Sequence, residues 1–269
     1  MLGDRDLPPI FHAADTSSLA AQSQFLTGAA IRLFGLVAAG GFGLATWKTG
    51  KAPTDWAGVL AAVCFFVAVI VEIYLLKVRP DRTWYEGRAA AESVKTLSWR
   101  YSVGGGPFNV GVQSDRDTEA LFLKQLDAVI EVLKELSTSP PSLDGQQITE
   151  PMRRMRSASL DERKRVYELG RVAEQQRWYQ RKANWNAQRA SRWTATILVV
   201  EIAGVVAAIM KAVGMIDGDV LIFAGAVVAS MTAWLQTKQH HTLATAYAVT
   251  AIELASVRTK IGWQTNEDD

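Results

Sequence analysis

Apolar residues along this chain gather into four blocks, and charged residues gather between them. The clearest block begins at Trp56 and reads WAGVLAAVCFFVAVIVEIYLLK, with one acid, Glu72, and no other charge before Lys77. Its span, taken as 56–76, is long enough to cross a hydrocarbon core of ~30 Å at ~1.5 Å per residue. It runs without a long polar break into RPDRTWYEGRAAAESVKTLSWRY, so the pattern predicts an apolar helix that ends in a basic, aromatic collar and continues as an amphipathic helix over 82–102. The first block, 28–47, is interrupted only by Arg32 and is rich in glycine. Gly35, Ala39 and Gly43 recur every fourth residue, a smooth stripe where another helix approaches closely. The loop KTGKAPTD carries Gly50 and Pro53, so blocks one and two are expected to form an antiparallel hairpin.

GGGPFNVG after Tyr101 breaks the helical pattern. A helix follows over 115–136, where Phe122, Leu126, Val129, Leu133 and Leu136 repeat with coiled-coil spacing. Residues 137–158, with Pro140, Pro141, Gly145 and Pro151, read as a linker. Ser159 to Glu162 is a capping-box start, and the helix it opens over 160–192 feeds the third apolar block, 193–213. The fourth block, 219–236, holds Gly225, Ala229 and Ala233, again small residues four apart. An amphipathic helix over 237–261 and an acidic end, 264–269, complete the chain, and residues 1–16 are expected to be a flexible tail. The halves 17–136 and 159–263 repeat: a shift of about 160 residues lays Arg32 on Arg192, and one of about 161 lays Lys77 on Lys238.

The fold class expected is all-α: two transmembrane hairpins, four spans, extending into amphipathic cytoplasmic helices that pack as a bundle. A soluble protein with four buried helices is the alternative. Charge asymmetry favours the membrane. Lys77, Arg79, Arg82, Arg177, Arg181, Lys182 and Arg192 lie towards the centre of the chain, whereas the two turns carry only Lys48, Lys51 and Lys211. By the positive-inside rule the termini and the centre are cytoplasmic. Trp84, Trp178, Trp185 and Trp193 complete a membrane-interface collar with those cations. A net charge of +2 argues against a dedicated nucleic-acid binder. A single cysteine, Cys64, excludes an internal disulfide.

Two hairpins, each flowing into an amphipathic helix, with RPDRTWYEGRAAAESVKTLSWRYSVGG after the first, resemble the SLATT superfamily in tandem. These are bacterial two-helix membrane proteins associated with nucleotide-second-messenger conflict systems. The resemblance implies a pore-forming effector in the inner membrane linked to a nucleotide-sensing or nucleotidyltransferase partner; a homo-oligomer is expected because four spans rarely enclose a conduit alone. A non-conducting, membrane-anchored scaffold that recruits a partner is the other reading of the same pattern.

Four intramembrane polar residues stand out. Arg32 and Glu72 are equidistant from the first turn and are expected at one depth, as an ion pair or with Glu72 in conduction. Glu201 lies inside the third block, opposite Ala229 and Ser230, with no base at hand. It either faces a cavity or path, or is protonated and hydrogen-bonded to Ser230. The run from Arg177 to Trp185 suits a lipid-surface collar, and by its aromatic and basic composition also suits a nucleotide. His240 and His241 point to different helix faces, GGGPF lacks the context of a phosphate loop, and no nucleophile–base set is found. No enzyme, cofactor, metal or nucleic acid is therefore expected.

Overall fold

Each apolar block folds as a helix. The computed structural model describes residues 2–49, 54–136, 145–216 and 220–263, with the side chains of 132–136 outside that description. The helices are α1 (Pro9–Gly43), α2 (Trp56–Val78), α3 (Pro80–Val103), α4 (Asp115–Leu136), α5 (Glu150–Arg156), α6 (Leu160–Tyr167), α7 (Ala173–Ala212), α8 (Val220–Lys238) and α9 (His240–Ile261). Among the described residues there is no strand, only an isolated bridge between Lys48 and Asp55. Four helical stretches are long and apolar enough to cross a membrane.

The ends of these helices follow from single residues. Asp55 caps α2: its carboxylate accepts the Ala57 N–H at 3.1 Å and the Trp47 N–H at 2.8 Å. Arg79, at φ 50°, ends α2 in the left-handed region, and its N–H returns to the Leu75 carbonyl. Pro80 then opens α3, where a missing N–H costs nothing. Gln239 repeats the device between α8 and α9, at φ 51°, with its N–H on the Leu235 carbonyl. Ser159 caps α6 as its motif predicts, accepting the Glu162 N–H.

Three expectations need correction. Residues 1–16 do not form a flexible tail, because α1 begins at Pro9 and Leu2, Leu7, Ile10, Phe11 and Ala14 are core residues. The segment 137–158 is not all linker: α5 lies within it and buries Met152 and Arg156, while 137–144 lie outside the described residues. The helix expected over 160–192 is interrupted by one turn of π-helix, Glu168–Val172. Residues 50–53, 217–219 and 264–269, which include parts of both expected turns and the acidic end, also lie outside the described residues.

The chain forms two compact units, and they are not its two sequence halves. One comprises 1–23, 80–181 and 247–269; the other comprises 24–79 and 182–246. Both apolar hairpins fall in the second unit and the remaining helices of both halves in the first. A hairpin of apolar helices shares no solvent with a polar bundle, so each half is shared between the units, with the boundaries at the α2–α3 break and within α1, α7 and α9.

The first unit has a conventional core. α3 supplies Ala90, Ala91, Val94, Leu97, Trp99 and Tyr101, and α4 supplies Phe122 and Leu126. Tyr101, Phe108 and Phe122 meet as tilted and edge-on rings 5.1 to 6.1 Å apart. The GGGPF loop is held from below by two buried arginines. Arg156 donates to the carbonyls of Phe108 (2.6 Å) and Tyr101 (3.2 Å), and Arg163 to that of Val103 (2.7 Å). Gly104, at φ +73°, is required here: a Cβ would come within 2.4 Å of Arg163 Nη1.

The second unit buries small residues instead. Ala29, Ala39, Ala57, Ala68, Ala183 and Ala190 are buried, while Phe34 is 75 % and Ile222 is 71 % exposed. In a membrane this is the expected arrangement, with close backbones inside and large side chains towards lipid.

Candidate functional site

The polar residues of the second unit sit among its small-residue contacts. Gly35 is where α1 and α2 approach: a Cβ there would lie 3.3 Å from the Cys64 carbonyl oxygen. One turn earlier in α1, Arg32 Nη1 donates to Glu72 Oε2 of α2, and Arg32 Nε is buried without a hydrogen-bond partner among the described residues. Gly28 backs onto Leu75, so the α1–α2 register is the one that places Arg32 and Glu72 at one depth. Further along α1, Gly40 and Gly41 receive the ring of Phe223 from α8, with 3.3 Å from a Cβ at Gly41 to that ring. Gly204 plays the same part between α7 and α8, facing Ala224 and Leu221.

The small-residue stripes divide on this basis. Gly35 and buried Ala39 pack inside the chain. Gly43 and Gly225 meet nothing within 4 Å, and Ala229 is exposed, with Ala233 half-buried. The stripe of α8 is therefore not an internal packing face, because Phe223 and Ala226 make the contacts of that helix with α1.

Glu201 is exposed on α7, and no hydrogen bond or ion pair is made by it among the described residues. Ser230 is half-buried and does not bond to it. Arg192, the counterpart of Arg32, is exposed, and the position 160 residues after Glu72 is Thr232, which offers no counter-charge.

The collar residues separate into different environments. Lys77, Arg79, Arg177, Arg181, Lys182, Arg192 and Trp185 are exposed, and Trp193 is half-buried. Arg82 pairs with Glu86 at 2.8 Å, and Trp84 stacks on Tyr85 with rings 4.8 Å apart. Trp178 is half-buried and packs in the first unit against Tyr179 (5.0 Å) and Tyr247 of α9 (5.6 Å). Trp185 carries the cations Lys182 and Arg189 over its ring and lies edge-on to His240. His240 is buried, with Nδ1 2.7 Å from Asn186 Oδ1, a polar contact between α7 and α9 that sequence reasoning missed. Only the pairing of a buried amide with a histidine 54 positions away would have signalled it.

In the first unit a second polar group joins α4 to α5. Arg153 donates to Glu119 at 2.8 Å and holds its carboxyl below the usual range. Burial, reinforced by the Glu119 charge, pushes the Tyr101 hydroxyl up to about 12. Among the described residues no cluster of His, Cys, Asp and Glu has the arrangement of a metal site.

Two hairpins, each ended by a left-handed residue and each followed by a further helix, are the architecture of a doubled two-span unit. Comparison with known families matches it in both halves: the SMODS and SLOG-associating 2TM effector domain 3 over residues 8–164, and the corresponding domain 1 over 167–269. The chain belongs to the SLATT family. SLATT domains are membrane-associated two-transmembrane effector domains, associated with SMODS and SLOG defence systems and linked to nucleotide signalling. The first SLATT match takes in Ile10, Phe11 and Ala14, which pack in the core, and α5 as well. No curated protein and no solved structure matches this SLATT chain.

Proposed function

We propose that this tandem SLATT chain is an oligomeric pore- or channel-forming effector of the bacterial inner membrane, acting in a nucleotide-signalled defence system. Glu201 is the observation that carries the reading. It lies about eight residues into the third apolar block, roughly 12 Å deep, is exposed, and has no partner among the described residues. A charge at the centre of a span costs roughly 2.5 kcal/mol or more when it faces lipid. A water-lined path enclosed by several copies relieves that cost, and a ring of carboxylates along it favours cations. Gly225 and Ala229, uncovered within the chain, give neighbouring copies a smooth surface for close approach. Arg32 and Glu72 neutralise each other and serve the α1–α2 hairpin rather than the path.

In this reading the termini and the central segment are cytoplasmic, because the exposed cations of the collar flank them. A linked nucleotide sensor or nucleotidyltransferase supplies the trigger. The chain itself needs no catalytic step, cofactor, metal or nucleic acid. Purified protein in liposomes, given its cognate trigger, is expected to pass monovalent cations, and Glu201→Gln to weaken cation preference while leaving assembly intact. Wild-type protein that carries no current under those conditions would overturn the pore, and the membrane-anchored scaffold would take its place. Orientation is read separately in a Cys64→Ala background. Cysteines at Thr49 and Met215 should react with an impermeant maleimide outside sealed cells and one at Ser157 should not; reaction at 157 reverses the topology.

A further inference from the structure

The first unit contains a partly enclosed cavity of about 310 Å³, bounded by α3, the N-terminal residues, the π-turn and the start of α7. That volume is at the lower end of the ~300–1,000 Å³ range of small-molecule sites. Three aromatic side chains, Trp99, Trp178 and Tyr179, line it together with three cations, Arg88, Lys95 and Arg171.

The three cations are not equivalent. Lys95 Nζ is 2.6 Å from Asp4 Oδ1. Arg88 uses both arms, Nη1 on Asp15 at 3.0 Å and Nη2 on Glu92 at 2.5 Å. Arg171 is left over. Its Nη2 comes only within 3.9 Å of Glu92, and its Nη1 is buried with no hydrogen-bond partner among the described residues. The side chain is 16 % exposed. A buried guanidinium N–H without an acceptor is costly, and folded proteins rarely leave one without a reason. Arg171 lies in the π-turn Glu168–Val172, and such single π-turns recur at functional sites.

We propose that this cavity binds a nucleotide bearing a single phosphate, linear or cyclic. An aromatic wall stacks with a planar base whatever its identity. An uncommitted guanidinium beside that wall suits one phosphate, which accepts charge-assisted hydrogen bonds. Asp4, Glu92 and Glu174 also line the cavity and set the upper limit on charge, because their carboxylates repel the further charges of a triphosphate. Glu174 and Gln175 also present an acceptor and a mixed donor–acceptor group to the edge of a base. The site is confined to the first unit, so it does not depend on whether the chain conducts.

The test is binding to full-length protein in detergent micelles, read by calorimetry and by quenching of tryptophan fluorescence. The probes are AMP, GMP, CMP, UMP, cyclic AMP and cyclic GMP, with adenosine, guanosine, orthophosphate, ADP and ATP as comparison arms. At least one single-phosphate nucleotide should bind, with its nucleoside about tenfold weaker or more. Arg171→Gln should weaken that binding about 10- to 100-fold, and Trp178→Leu about tenfold, with helix content by circular dichroism unchanged. Arg165→Gln, on an exposed face outside the cavity, should bind as wild type. Should Arg171→Gln not fold, Glu174→Lys is the second variant, and it should raise affinity for ADP relative to AMP. Absence of binding by all six nucleotides at millimolar concentration overturns the proposal. So does equal binding by wild type, Arg171→Gln and Trp178→Leu, or ATP binding more tightly than AMP.

Discussion

The two units of this chain use opposite rules for the same amino acids. In the first, the bulky residues Phe108, Phe122 and Tyr101 are inside, with the hydrogen-bonded guanidinium groups of Arg156 and Arg163 beside them. In the second, alanine and glycine are inside while Phe34, Phe66 and Ile222 face outward. The contrast reflects the solvent. In water, burying aromatic area is the main gain, at roughly 25 cal/mol per Å². Between lipid tails that gain vanishes, and close packing with satisfied polar groups decides the structure.

Substitutions should therefore have effects that depend on the unit and not on residue size. The largest difference is expected between two phenylalanines. Phe122→Ala should lower stability by about 3–5 kcal/mol, and Phe34→Ala should stay within about 0.5 kcal/mol, both measured by thermal unfolding in detergent. Equal losses would remove the distinction between the units. The next contrast reverses size. Gly35→Val should cost about 1–3 kcal/mol, since its Cβ meets backbone at Cys64, while Gly225→Val should leave chain stability unchanged and reduce cross-linking between copies.

The Arg32–Glu72 pair sharpens the comparison within the second unit. Each single alanine substitution should destabilise, and the double mutant should recover part of the loss, with a coupling of about 0.5–3 kcal/mol. Strict additivity would show that the pair does not interact. A smaller effect, about 0.2–1 kcal/mol of stabilisation, is expected of Thr232→Glu, which supplies in the second half the counter-charge that Arg192 lacks.

Alkali separates the units without mutation. The Tyr101 hydroxyl, pushed up to about 12 in the folded state, is harder to ionise there than in the unfolded chain. Its contribution is complete below about pH 10 and is lost as pH rises towards 12. Melting of the first unit should stay flat to about pH 10 and then fall, and Tyr101→Phe should flatten the fall.

Much of the second unit was legible before any coordinates. Block length marked the spans, and equal distance from the turn at residue 52 put Arg32 beside Glu72. The first unit was less so, for specific reasons. Leu7, Ile10, Phe11 and Ala14 have helical spacing, but the stripe is short and lies beside Pro8 and Pro9, so it read as tail. Arg156 lies in the run MRRMR and looks like solvated charge, although its guanidinium is buried on two loop carbonyls. The cavity is built from segments around residues 2–4, 88–99 and 170–179, and no local pattern joins them. The α8 stripe does not say which interface it serves, since small residues four apart suit an internal and an external interface equally.

The π-turn at Glu168–Val172 makes residue count into an angle. Successive residues on a helix are about 100° apart, so a turn that holds one residue more than α-helix rotates everything beyond it by about that amount. Deleting Gly170 would scarcely shorten the helix. It would close the wide turn to regular α-helix and keep Trp178 and Tyr179 on the face they share with Tyr247, whereas an α-helical turn at unchanged length would carry them off it. The extra residue at that turn, and not the length of the helix, sets which side chains face the cavity.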